Sequence, residues 1–193
     1  MKNILFLFSF FLLSTFCFAQ TENFADLATE LKKGSELHYT VNTGSTSYAF
    51  IVKLESINFP QGITFEYSLM SSSPKNAKVT MTDEALQAAE TMYNFFSGED
   101  IELEDRVSVF LSQAMFENEN PVRIKLDIND PEFTNFYRSN DVDVLKTNIG
   151  NISTRSLVND DLNYKIEYAD NAACPLIINM DLGWTVKLDS IKL

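Results

Sequence analysis

Between residues 36 and 70, apolar and polar side chains alternate with a period of two, and this is the most regular pattern in the chain. The alternation occurs in three runs, which are separated by the turn-forming segments 44–46 and 58–62. A two-residue period is typical of a strand with one buried face, and connections this short favour antiparallel neighbours. The pattern therefore predicts a three-stranded meander whose buried face carries Leu37, Tyr39, Val41, Tyr48, Phe50, Val52, Leu54, Ile63, Phe65, Tyr67 and Leu69.

Further apolar runs continue to the C-terminus, and the six glycines and five prolines all fall between them. Glycine and proline interrupt regular structure, so this placement supports the division into strands. About ten short strands in succession predict a mainly β (α+β) domain, built as a curved antiparallel sheet or open β-barrel. A β-sandwich is the alternative. The later runs are 77–81, 122–128, 142–146, 152–158, 162–168, 176–180 and 184–191.

Two segments have helical spacing instead. Residues 20–33 predict a short amphipathic N-terminal helix, which Thr21 would cap. Residues 83–97 predict one main helix packed against the sheet, with Thr82 as its cap and Gly98 beyond its end. Its apolar stripe consists of Leu86, Ala89, Tyr93 and Phe96.

The N-terminus resembles a targeting segment in layout. Lys2 precedes an apolar run from Ile4 to Leu13, and small residues at Cys17 and Ala19 precede Gln20. This layout predicts a signal peptide over residues 1–19, followed by a single β-rich domain over 34–193. We therefore expect an exported, soluble, periplasmic or extracellular protein without a transmembrane segment after cleavage. Lipid anchoring at Cys17 is the alternative.

Charge and cysteine content narrow the class of partner. The chain holds 15 basic and 27 acidic residues, for a net charge of −12. A surface of this sign repels phosphate backbones, which argues against nucleic acid as a partner. Once residues 1–19 are removed, Cys174 is the sole cysteine, so no internal disulfide is possible. Its apolar neighbours predict a buried core residue.

The sequence contains no motif for catalysis or cofactor binding. His38 is the one histidine, and alternation places it opposite the apolar face of its strand. We therefore assign no catalytic and no cofactor-binding residue. Calcium is the one cofactor that the composition suggests, because side-chain oxygens recur at short spacing in turns. The candidate ligands are Asp127, Asn129, Asp130, Asp141 and Asp143.

These observations favour a non-enzymatic binding or interaction protein. Its partner would be an apolar small molecule or lipid in a barrel-like interior, or a surface or periplasmic protein. The alternative is a carboxylate-dependent glycan hydrolase, which needs only two acids facing each other across a groove. A deep apolar pocket would favour small-molecule binding. A groove with two facing acids would favour the enzyme.

Overall fold

The computed structural model describes residues 23–94, 96–118, 120–127 and 129–193. The predicted signal peptide and Thr21 lie outside this range. Strands predominate among the described residues and the helices are short, which confirms the prediction of a mainly β domain. No helix in this part of the chain is long and apolar enough to cross a membrane.

The described residues form fourteen strands and three helices. The strands are β1 Glu36–Asn42, β2 Ser47–Asn58, β3 Gly62–Met70, β4 Lys75–Met81, β5 Thr91–Met92, β6 Ile101–Leu103, β7 Arg106–Val107, β8 Val122–Ile124, β9 Thr134–Arg138, β10 Asp143–Thr147, β11 Gly150–Asn159, β12 Tyr164–Ala169, β13 Ile177–Asp181 and β14 Thr185–Lys192. The helices are α1 Leu27–Glu30, α2 Asp83–Ala88 and α3 Gln113–Glu117.

Twelve strands belong to one sheet, in the order β6-β4-β3-β2-β1-β14-β13-β12-β11-β9-β8, with β10 paired to β11 beside this path. The terminal strands β6 and β8 are not paired with each other, so the sheet does not close into a barrel. A continuous sheet of this size differs from the alternative of a β-sandwich. The two remaining strands, β5 and β7, pair with each other.

The predicted meander is confirmed as β1, β2 and β3. Tyr39 pairs with Phe50, and Val52 pairs with Tyr67, so residues of the predicted apolar face are cross-strand neighbours. Alternate residues of β1 are buried, as the two-residue period predicts. The inner side of these strands therefore forms part of the hydrophobic core.

Strand β1 also pairs with β14, the last strand of the chain. Its register runs from Glu36 opposite Lys192 to Asn42 opposite Thr185. The first strand of the chain thus joins the N-terminal meander to the C-terminal hairpin formed by β13 and β14.

The predicted N-terminal helix is wrong in its extent. Helix α1 covers Leu27–Glu30, and its cap is Asp26, whose carboxylate accepts a hydrogen bond from the Ala28 amide at 3.2 Å. Residues 23–25 are not helical, because the Ala25 amide donates to the Asn151 carbonyl at 2.8 Å. A hydrogen bond to a distant strand has replaced the local helical one.

The main helix is also shorter than the predicted 83–97. Thr82 caps it as expected, with its hydroxyl accepting from the Ala85 amide at 3.3 Å, but α2 ends at Ala88. Beyond it the chain is extended, because the Met92 amide donates to the Lys125 carbonyl at 2.8 Å. The predicted apolar stripe therefore reaches the core from a short helix followed by an extended segment.

Two pairs of strands are parallel, against the expectation of a purely antiparallel sheet. Val79 of β4 lies beside Ile101 of β6, and α2 is part of the connection between these strands. Strands β5 and β7 are also parallel. The sequence signal for β6 is weak because this strand is only three residues long and lies in an acidic stretch.

Candidate functional site

Three turns lie together at one end of the sheet. Because consecutive strands from β1 to β4 pair antiparallel with each other, the β1–β2 turn and the β3–β4 turn occupy the same end. The β13–β14 turn joins them there, since Val41 near the end of β1 pairs with Val186 near the start of β14. This end of the sheet therefore gathers side chains from six strands.

A pocket of about 400 Å³ lies at this end of the sheet. Its volume lies in the range of small-molecule sites, roughly 300–1,000 Å³. Its wall is mostly apolar, and it comprises Tyr39, Val41, Tyr48, Phe50, Leu69, Ser71, Ser73, Lys75, Asn94, Phe96, Ser108, Val109, Ile177, Met180, Trp184 and Val186. Five of these residues, on β1, β2 and β3, were predicted from alternation to face inward.

The inner wall of the pocket is aromatic and closely packed. The rings of Phe50 and Phe96 lie 4.7 Å apart, and Phe96 also meets Tyr67 at 4.8 Å. Tyr39 stacks beside Phe50 at 5.9 Å, and its hydroxyl donates to the Ile177 carbonyl at 2.9 Å. Burial raises the pKa of Tyr39 well above its ordinary value, so this hydroxyl stays protonated. The aromatic residues of this inner wall are thus uncharged and held in place by contacts between distant strands.

The segment that follows β5 closes one side of the pocket. Its Phe96 carbonyl accepts a hydrogen bond from Lys75 Nζ at 3.3 Å, and its Gly98 amide donates to the Tyr67 hydroxyl at 2.8 Å. These two bonds fix the chain on either side of Ser97. Phe96 is therefore held against the sheet without being part of a helix.

A second segment, after β7, contributes Ser108 and Val109 to the pocket wall. Val109 has a φ of 67°, in the left-handed region that β-branched residues rarely adopt. The conformation is held by pairing with β13, because the Ile177 amide donates to the Val109 carbonyl at 2.8 Å. Strained residues of this kind occur often at ligand sites.

The mouth of the pocket is more polar than its interior. Tyr48 and Trp184 are half-buried there, and Ser73 is exposed. Lys75 is the one charged side chain among the described residues that line the pocket. No carboxylate contributes to this lining, although the chain as a whole is strongly acidic.

The five calcium candidates are not brought together. Asp127 and Asp130 share a turn, where the Asp127 carboxylate accepts from the Asn129 amide at 2.8 Å and Asp130 accepts from the Asp127 amide at 2.8 Å. Asp141 and Asp143 lie at the start of β10, in another part of the sheet. Across the described residues, no cluster of three or more acidic, histidine or cysteine side chains could hold a metal ion. None of the five lines the pocket.

His38 lies where the alternation of β1 predicts, away from the core. Its Nε2 is 2.8 Å from the Glu36 carboxylate, which also accepts from Lys192 Nζ at 3.1 Å. The hydrogen bond with His38, and then that with Lys192, lowers the pKa of Glu36. This small polar group lies on the outer face of the sheet and has no part in the pocket.

Sequence reasoning missed three features of the pocket. Lys75 was not included in β4, although it shares the two-residue period of Ala77, Val79 and Met81. The same reasoning left Val109 and Trp184 without a role, because they enter the wall from connections and not from regular strand faces. The period of β4 was the signal that could have placed Lys75.

Comparisons of this chain with protein-family models, with curated proteins and with solved structures found no match.

Proposed function

We propose that this protein is an exported, non-enzymatic binding protein that holds an apolar small molecule or lipid in the pocket at the turn end of the sheet. The observation that carries the proposal is an apolar, aromatic-walled pocket of about 400 Å³ with a polar mouth. Small-molecule sites have this composition: hydrophobic walls with a few polar groups that orient the ligand. A protein partner is the alternative occupant, and titration with a small apolar ligand separates the two.

The pocket lining gives no support to the hydrolase alternative. Hydrolysis by paired carboxylates needs two acids on facing walls. The described residues that line the pocket include no acid. The polar groups at its mouth are hydroxyls, an amide and an amine, which bind and orient a ligand but do not supply that chemistry.

Trp184 offers a direct test because it is the one tryptophan in the sequence and it lines the pocket. Titration with the neutral fluorophore N-phenyl-1-naphthylamine should produce energy transfer from Trp184 and saturate at one site. Val186→Phe should weaken this binding at least about tenfold, because the larger side chain would occupy the apolar space.

Val144→Phe is the matched control, since Val144 is exposed on β10 and lies outside the pocket. It should bind the fluorophore like the unaltered protein. Equal binding by all three proteins would place the fluorophore elsewhere and contradict the proposal. No saturable binding at all would instead favour a protein partner.

Export is tested separately. The apolar run from Ile4 to Leu13 and the small residue Ala19 predict cleavage before Gln20. Mass spectrometry of the protein from a periplasmic or culture fraction should give Gln20 as the N-terminal residue. Recovery of the chain with Met1 intact in a membrane fraction would contradict export.

A further inference from the structure

Ser108 carries a buried hydroxyl that has no hydrogen-bond partner among the described residues. The residue is 3% exposed, and its amide donates to Met81 Sδ at 3.3 Å, but no protein group in the described part of the chain pairs with its Oγ. Within that part, the Tyr168 hydroxyl is the one unpartnered side-chain polar atom that is fully enclosed by protein. The Ser108 hydroxyl therefore keeps a small accessible surface. Because Ser108 lines the pocket, this surface opens into it.

Asn94 adds a second unpaired polar atom to the pocket lining. Its Nδ2 donates to the Leu126 carbonyl at 2.6 Å, which fixes the orientation of the amide. Its Oδ1 accepts no hydrogen bond from the described residues, and an amide oxygen can only accept. The segments that carry Asn94 and Ser108 are adjacent, because the Tyr93 amide donates to the Val107 carbonyl at 2.8 Å. The wall thus offers a ligand one hydroxyl and one amide oxygen from neighbouring segments.

From this arrangement we propose that the natural ligand is an uncharged, apolar alcohol. The inference rests on the proposed function of the pocket. The ligand hydroxyl accepts a hydrogen bond from Ser108 Oγ and donates one to Asn94 Oδ1, and the apolar body lies against the rings of Phe50 and Phe96. Burying a polar group without a hydrogen bond is unfavourable, so a ligand that supplies the missing bonds recovers that loss.

Other head groups match these two atoms less well. A carboxylate has no hydrogen to donate to Asn94 Oδ1. An ammonium group could donate, but none of the described residues that line the pocket is an acid that would balance its charge beside an apolar wall. A hydrocarbon would leave both Ser108 and Asn94 unpaired. A hydroxyl both donates and accepts, so a single small group satisfies both residues.

The experiment uses 1-adamantanol and 1-methyladamantane, which share one apolar cage and differ by a hydroxyl in place of a methyl group. Each competes with N-phenyl-1-naphthylamine, and energy transfer from Trp184 reports displacement. The dissociation constant of the fluorophore is measured first in each protein, so that displacement can be converted into affinity. Ser108→Ala should weaken adamantanol about three- to tenfold, as loss of one neutral hydrogen bond requires. It should leave methyladamantane unchanged or bound more tightly.

Ser156→Ala is the matched control, because Ser156 is also buried, at 5% exposed, but lies on β11 outside the pocket. It should leave the affinity for both ligands unchanged, and an effect on adamantanol equal to that of Ser108→Ala would overturn the inference. Unchanged adamantanol binding in Ser108→Ala would overturn it as well. Equal weakening of both ligands would do the same, since Ser108 would then only shape the wall. In these three cases the fluorophore still binds at one site. No saturable binding of the fluorophore would overturn the proposed function, and this inference with it.

Discussion

Cys174 shows how completely a single residue is governed by its surroundings. Its side chain is fully buried, as its apolar neighbours predict. Burial, with a smaller effect from Asp26, raises the pKa of the thiol to about 12. The neutral thiol is therefore the form that the folded protein contains, which removes the nucleophilic thiolate that reactive cysteines require.

This shift predicts a loss of stability in alkaline solution. The folded pKa lies above the unfolded value, so the contribution of Cys174 is complete below about pH 8.5 and is lost as the pH rises towards the folded value. Between pH 7 and about pH 10, the free energy of unfolding of the unaltered protein should therefore fall. In the Cys174→Ala variant this fall should be smaller by about 2 kcal/mol. Urea unfolding at both pH values measures this difference. Equal losses would mean that the thiol ionises as readily in the folded protein as in the unfolded chain.

Val109 is the second residue whose contribution to stability depends on its position in the fold. Its left-handed backbone costs about 1–3 kcal/mol, which glycine would not incur. Val109→Gly should therefore destabilise the protein by only about 1 kcal/mol, because relief of strain offsets much of the lost burial. Val107→Gly, at a buried β7 position without positive φ, should cost at least about 2 kcal/mol. Similar midpoints of urea unfolding for the two variants would argue against strain at Val109.

At the scale of elements, the segment after α2 contributes more to the pocket wall than the helix itself does. The segment carries Tyr93 into the core and sets Phe96 against Phe50 and Tyr67. It has little regular structure of its own, so its position depends on contacts with the sheet. Phe96 is thus both a stabilising residue and a wall of the pocket.

Phe96→Ala should lower stability and widen the pocket together. We expect a cost of about 3 kcal/mol, at the lower end for a truncated aromatic residue because Phe96 is half-buried. Phe133→Ala is a matched control, since Phe133 is more exposed and lies outside the pocket, and it should cost less than about 1 kcal/mol. Thermal melting measures both. An unchanged melting temperature for Phe96→Ala would show that the segment does not depend on this ring.

On the scale of the whole molecule, the pairing of β1 with β14 joins the N-terminal and C-terminal parts of the sheet, so we expect them to unfold together. Within the sheet, β1 connects strands β2, β3 and β4 on one side to β14 and the strands beyond it on the other. The core residues on both sides of the β1–β14 pairing form one hydrophobic cluster. Neither half has a separate core, so we expect the described domain to unfold as one unit.

Two spectroscopic signals can test this expectation. Trp184 fluorescence reports the β13–β14 turn, and far-ultraviolet circular dichroism reports the strands of the entire sheet. Their urea transitions should have the same midpoint, as for a two-state domain. An earlier fluorescence midpoint would show that the C-terminal hairpin detaches from β1 before the meander unfolds.

The sequence alone determined the strand faces and the meander. Tyr39, Phe50 and Tyr67 face inward because a period of two is a local property of each strand and survives any arrangement of its neighbours. The turns between these strands are short, so the sequence also determined that neighbouring strands of the meander are antiparallel. The burial of Cys174 could be predicted from its apolar neighbours.

Tertiary structure alone decided the helix ends and the pocket. The Met92 amide bonds to Lys125, and Ala25 bonds to Asn151, so hydrogen bonds between distant residues replaced the helical pattern. The pocket arises where three turns meet, which depends on the pairing of the first strand with the last. Lys75 and Trp184 line the same pocket only because β1 pairs with β14. Local periodicity carries no information about such convergence, because it records which face a residue occupies and not which distant residues lie opposite it.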